Sequence, residues 1–132
     1  MDPIQPIKIF NPHGEKVSYC RAKLDTGAHA NFIILSLVEK CHYELQSLSD
    51  GNPSFSALNN LRVQVSGWVK PDWQFRTSKQ KKRRKDVKFW VIDTLPNELD
   101  MLIGEEYLQE MGIYLRAPQG VLVAHRDWGK GS

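Results

Sequence analysis

No apolar stretch in this chain exceeds four or five residues, and that limit most constrains what it can fold into. Phe32-Ile33-Ile34-Leu35 is among the longest. Runs of this length, bounded by Gly, Pro, Asn and Asp, suit short buried strands, whereas a membrane helix needs ~20 apolar residues. The expectation is an all-β chain with one or two short helices. Its 132 residues suit a single domain spanning 1–132, with a core over about 7–124 and a flexible tail at 129–132. Hydrophobic residues at 41% and charged residues at 25% are ordinary globular values and argue against global disorder.

The alternation is clearest over residues 17–24. Cys20, Ala22 and Leu24 point one way and Arg21 and Lys23 the other, as in a half-buried strand. A strand over 7–10 and a turn at Asn11-Pro12-His13-Gly14 make this an antiparallel hairpin that ends in Asp25-Thr26-Gly27. A short strand over 31–35 follows. Ser36 and Glu39 have capping-box spacing, which predicts a helix to about Tyr43. Further strands are expected over 55–58 and 61–69, joined through Asn59-Asn60, and over 73–77 and 87–92, paired as a hairpin. Met101-Leu102-Ile103 reads as a buried strand. A helix over 105–111 follows, with Gly112 as its stop, and a terminal hairpin spans 113–124.

Net charge is +3, but six of the 18 basic residues lie in one run: Lys79, Lys81, Lys82, Arg83, Arg84 and Lys85. The other 12 face 15 acidic residues, so a mildly acidic body carries one basic insertion, placed at a hairpin tip over 79–86. Such a run most simply solvates a tip; its functional alternatives are nuclear targeting and nucleic-acid contact through Lys79 to Lys85. Cys20 and Cys41 are too few for a disulfide scaffold, and neither they nor the four histidines have metal-ligand spacing, so no metal or other cofactor is expected. Residues 1–6 lack a basic and apolar leader pattern, so the expected setting is intracellular, cytoplasmic or nuclear rather than secreted. No membrane partner is expected.

Asp25 follows a buried strand directly and precedes a glycine turn, which holds a carboxylate rigidly at the edge of a core. About 75 residues on, Met101-Leu102-Ile103-Gly104 leads into a helix containing Tyr107-Leu108. Asp25-Thr26-Gly27-Ala28 followed by Asn31-Phe32-Ile33 resembles the active-site loop of retropepsin-like aspartic proteases. The segment from Met101 to Gly104 resembles the second signature of that family, and the two motifs stand in the family's order. The resemblance runs from about Ile7 to about Val123. It implies a small closed β-barrel with a flap hairpin, one lobe per chain.

It further implies that Asp25 is the catalytic carboxylate and that Thr26 bonds to the partner's equivalent loop. Gly27 and Ala28 would line the cleft, and His29 would touch substrate or the dimer partner. Residues 55–66 would form the flap, with Leu58, Asn59, Asn60 and Leu61 at its tip. Ile103 would line a substrate pocket, and Gly104 would support the loop from behind. His29 and the Asn59-Asn60 tip depart from the family pattern of a small or acidic residue and a glycine-rich tip. Hydrolysis of an amide by shared carboxylates needs two acids, and this chain has one Asp-Thr-Gly, so the second must come from a second copy on a twofold axis. The expected function is a homodimeric aspartic endopeptidase acting on an extended polypeptide such as a Gag-Pol-like polyprotein. Cellular cousins tied to ubiquitin-shuttle proteins belong to the same resemblance. The alternatives are a catalytically silent dimerisation or binding module on the same fold and, third, a nucleic-acid-binding domain.

Overall fold

A computed structural model describes residues 2–49, 55–56, 62–76, 82–116 and 121–124. The elements in chain order are β1 (Ile4–Phe10), β2 (Lys16–Asp25), β3 (Phe32–Ile34), α1 (Leu35–Lys40), β4 (Phe55–Ser56), β5 (Arg62–Val63), β6 (Gly67–Val69), β7 (Asp72–Phe75), β8 (Phe89–Ile92), a 3-10 turn (Pro96–Glu98), β9 (Met101–Gly104), α2 (Glu105–Glu110), β10 (Ile113–Arg116) and β11 (Val121–Ala124). The expected flap tip at 57–61, the start of the basic run at 77–81, the last turn at 117–120 and the tail at 129–132 lie outside the described residues.

A seven-stranded sheet in the order β6-β8-β3-β9-β2-β1-β7 dominates the molecule. Its two edge strands, β6 and β7, are separated in the chain only by Lys70-Pro71, so the sheet must curl until its edges come near each other. The hairpin of β1 and β2 forms as the alternation predicts, with Ile7 opposite Cys20 and a register shift at Ile9/Phe10. Cys20, Ala22 and Leu24 are buried, together with Ile7 and Ile9 of β1. In the centre, β9 pairs parallel with β2 and antiparallel with β3, while β3 pairs parallel with β8. Strands walled in by neighbours on both sides and covered on both faces read as unbroken apolar runs, which is why Met101-Leu102-Ile103 and Phe32-Ile33-Ile34 lack alternation. Trp73, fully buried, anchors the core through edge-to-face contacts with Phe75, Phe89 and Tyr107 at centroid distances of 5.1, 5.9 and 6.2 Å. It fills the core rather than offering a surface for stacking bases.

Several local expectations fail. First, β7 and β8 are not a hairpin. The inward residues Trp73 and Phe75 extend the row begun by Ile9 and Ile7, so β7 pairs with β1, while apolar β8 goes to the interior between β6 and β3. Second, the basic run is not wholly a solvated tip. Trp73 and Arg84 exchange backbone hydrogen bonds of 3.0 and 2.8 Å, closing the open edge of β7. Arg83 forms a two-pronged pair with the nearly buried Asp72 and lies 3.5 Å over the Phe10 ring, and Arg84 donates to the Tyr107 hydroxyl at 2.7 Å. A buried carboxylate needs such a cation.

Third, Ser36 caps nothing. β3 ends at Ile34, one residue short of the expected strand, and α1 begins at Leu35, so Ile34 is the N-cap and Ser36 lies inside α1. That helix ends at Lys40 rather than Tyr43. His42 adopts φ 60°, and the Tyr43 and His42 amides bond back to Val38 and Glu39 in a Schellman arrangement. The segment expected as one strand over 61–69 is also divided, into β5 and β6. By contrast, Gly112 ends α2 at φ +78° as expected.

No described helix is long and apolar enough to cross a membrane. Among the described residues no three His, Cys, Asp or Glu side chains gather into a metal-binding group.

Both cysteines are free and buried, and burial pushes the Cys41 thiol up to about 11 and the Cys20 thiol higher still. A thiol reagent at neutral pH is expected to label neither until the protein unfolds, which a stopped assay with and without urea reads directly. Replacing Trp73 by Ala should cost about 3–5 kcal/mol in urea unfolding. Trp73→Phe should cost less than half of that, because edge contacts survive and the indole N–H, buried without a partner among the described residues, is removed.

Candidate active site

The site is built where β2 ends. Parallel pairing sets Leu24 beside Ile103 and Asp25 beside Gly104, and the Leu24 amide donates to the Pro3 carbonyl at 2.7 Å. The end of β2 is therefore held by β9 on one side and by the residue before β1 on the other. Its main-chain carbonyl accepts the Ala28 amide at 3.2 Å and its Oδ1 accepts the Gly27 amide at 2.8 Å, so the turn folds back on the carboxylate it presents. Asp25 is 9% exposed. Its Oδ2 is buried with no hydrogen-bond partner among the described residues. Lys23 Nζ lies 4.0 Å away, beyond hydrogen-bond range, and is itself one-third exposed, so it contributes little.

The loop from Thr26 to Asn31 is locked from behind by the second motif. The Ala28 carbonyl accepts the amide of Glu105, the first residue of α2, at 2.7 Å. The Gly104 amide donates to Asn31 Oδ1 at 2.9 Å, and Asn31 Nδ2 donates to the Lys88 carbonyl at 3.2 Å. Gly104 is required by space. A Cβ there would stand 2.4 Å from the Ala30 carbonyl oxygen and 2.8 Å from that of Ala28, closer than atoms can approach. Asn31 is the positioning residue that motif reading quoted but did not single out. The signal was available: an amide side chain directly before the fully buried Phe32-Ile33 must find partners.

The structure thus brings Asp25, Thr26, Gly27, Ala28 and Gly104 together. Thr26 is half-buried, Gly27 is exposed beside the carboxylate, and Ala28 is fully buried. Ile103 is fully buried against the core. His29 is exposed and borders a cleft of about 360 Å³ with Asn31, Trp90, Glu106 and Tyr107. A larger cleft of about 520 Å³, lined by His13, Tyr43, Trp68 and Lys70 among others, includes no residue of the acid loop. The expected flap is represented by β4 and β5, which pair antiparallel with Phe55 opposite Val63. Leu58, Asn59, Asn60 and Leu61 lie outside the described residues.

Gly104→Ala should destabilise the fold by about 2–3 kcal/mol, since two backbone carbonyls must move to admit one methyl group. Urea unfolding at fixed protein concentration checks this; a loss below about 0.5 kcal/mol would show that the loop yields freely.

No family model matches the chain, and no curated protein matches it. Solved structures do. The retroviral protease-like domain of Ddi1 from Leishmania major superposes with a TM-score of 0.56 at 17% identity, covering 93% of this chain and 87% of that one. The EIAV protease complexed with the inhibitor HBY-793 superposes with a TM-score of 0.54 at 14% identity, covering 88% of this chain and 93% of that one. At such identities a likeness over most of both chains speaks for architecture. With its curled sheet, its Asp25 loop at the end of β2 and its helix behind Gly104, the chain has the retropepsin-like fold.

Proposed function

We propose that two copies of this chain form a twofold dimer that hydrolyses peptide bonds with the paired carboxylates of Asp25. The observation that carries the reading is the state of that carboxylate. Oδ1 is fixed by the Gly27 amide, while Oδ2 is buried and unpartnered among the described residues. A desolvated polar oxygen is costly unless something meets it, and the same loop of a second copy, related by a twofold axis, supplies an acid at the right place.

Two carboxylates about 3 Å apart hold one proton between them. The ionised member takes a proton from a bound water as the hydroxyl adds to the scissile carbonyl carbon. The protonated member supports the developing oxyanion. The carbon–nitrogen bond then breaks as the leaving nitrogen receives a proton from the pair, which is restored. No covalent intermediate forms. Thr26 ties the two loops across the axis. Gly27 accepts main-chain hydrogen bonds from an extended substrate, and the β4–β5 hairpin covers it, adding the peptide as a strand. His29 and the tip residues Leu58, Asn59, Asn60 and Leu61 shape its side-chain pockets, which favour apolar residues at the cut, while Ala28 and Ile103, fully buried, back them from the core. The substrate class is a polyprotein of the Gag-Pol type. The likeness to a Ddi1 domain from a cellular organism favours, as a second reading, a cellular protein substrate for the same chemistry.

Purified protein incubated with a mixed peptide library should release new termini, read by mass spectrometry, and the preferred sequences separate the two substrate readings. Asp25→Asn should lower the rate by at least about a thousandfold while leaving thermal unfolding unchanged. Specific activity should fall on dilution through the dimer dissociation range. Undiminished cleavage by Asp25→Asn would overturn the mechanism. A chain that stays monomeric at high concentration and cleaves nothing would instead favour the silent module.

A further inference from the structure

Within the basic run, the two arginines are taken up by the body of the protein. Arg83 is paired with Asp72 and Arg84 is bonded to Tyr107. A different set stands on the outward face of β2, β1 and β7. Because Cys20, Ala22 and Leu24 face the core, Tyr19, Arg21 and Lys23 face out. Because Ile7 and Ile9 face the core, Lys8 faces out, opposite Tyr19 on one side and Gln74 on the other. Arg76 follows β7 and is tied to β1 by its amide bond to the Pro6 carbonyl at 3.1 Å.

Arg76 and Lys16 converge on one ring of this face. Tyr19 is 48% exposed, an unusual place for a large aromatic on a strand. The Arg76 guanidinium lies 3.9 Å from its ring centroid and Lys16 Nζ 4.6 Å, and Lys16 Nζ also donates to the Tyr19 hydroxyl at 3.2 Å. The local field is positive enough to lower the Tyr19 hydroxyl from the ordinary tyrosine value, the Lys16 hydrogen bond acting first, then the charges of Lys16, Lys8 and Arg76. Among the described residues, the carboxylates that form ion pairs are Asp25 with Lys23 and Asp72 with Arg83; the Asp100 carboxylate accepts the Arg21 backbone amide at 2.9 Å, and the side chains of Lys8, Lys16, Arg21 and Arg76 form no ion pair.

We propose that this face, with Lys8, Lys16, Arg21 and Arg76 around Tyr19, binds a single-stranded nucleic acid. Residues two apart on a strand stand ~7 Å apart and adjacent strands ~5 Å apart, so the four cations are spaced closely enough on this face to follow a flexible phosphate backbone. Like charges set side by side on a sheet repel, and a bound polyanion relieves that repulsion. The Arg76 guanidinium stacked on the Tyr19 ring presents its outer plane to a base, a contact that an acidic peptide or a lipid headgroup does not use. The inference is independent of the peptidase reading, because none of its residues belongs to the acid loop.

The test is fluorescence anisotropy with a labelled oligouridylate of about 20 nucleotides. Four phosphate contacts at about 0.7 each predict a log–log salt slope near −3, or roughly 50-fold weaker binding on going from about 50 to about 200 mM salt. The triple variant Lys16→Gln, Arg21→Gln, Arg76→Gln should bind at least about tenfold more weakly and lose about two units of slope, with thermal unfolding as the check that the exposed changes leave the fold intact. A second variant, Lys81→Gln, Lys82→Gln, Lys85→Gln, should retain most of the binding. The proposal is overturned by absent binding at low salt, or by a triple variant that binds like the parent. Equal affinity for polyglutamate or for phosphatidylserine vesicles overturns it too, the former assigning the face to acidic peptides and the latter to membranes.

Discussion

The parallel pairing of β2 with β9 is the constraint on which the rest of the structure depends. Asp25 is the last residue of a ten-residue strand, and such a position ordinarily frays. Here it lies beside Gly104, the last residue of β9, and α2 starts at the next residue. The end of one strand is thereby fastened to the start of a helix. The amides there do not go unpaired: Gly104 donates to Asn31 and Glu105 to Ala28, so the orphan donors of the helix start are spent on the acid loop. A local weakness at each terminus becomes one rigid junction.

The remainder of the sheet serves that junction. β1 and β3 flank the pair on either side, and the curl of the sheet wraps both around a common core in which Trp73, Phe75 and Phe89 meet. Arg83 and Arg84 close the far edge, one by neutralising Asp72 and the other by satisfying the backbone of Trp73. Beneath them, the Tyr43 hydroxyl bridges the Phe10 carbonyl and the Asp72 amide, and burial pushes it up to about 12. Polar links of this kind stitch together segments that share no ladder.

Much of this architecture was legible as pattern. Alternation at Cys20, Ala22 and Leu24 identified the inner face of β2, and the same alternation put Tyr19 and Arg21 outside. The glycine after Ile103 marked a helix start, and Gly112 marked its stop. These features are local: a strand of period two or a left-handed residue is determined by a few neighbouring side chains. Partner choice is not local. Trp73 and Phe75 carry the same inward pattern whether they pair with β8 or with β1, and only the shape of the inner row decides for β1. Ser36 and Glu39 match a capping box, yet strand pairing stops at Ile34 and the helix starts at Leu35, which leaves Ser36 inside it.

The chain's residues alone determined where a carboxylate would be presented, at the turn after a buried strand, and that a hydrophobic segment ending in Gly104 would stand apart from it in sequence. Only the tertiary structure decided that these two would lie side by side, that Asn31 would join them, and that one carboxylate oxygen would be left buried and unpartnered among the described residues. The physical reason is that hydrophobic period and turn chemistry act over a few residues, whereas strand order is chosen by the total burial that one curled sheet achieves. A lone chain's sequence specifies its pieces; their neighbours are chosen by packing.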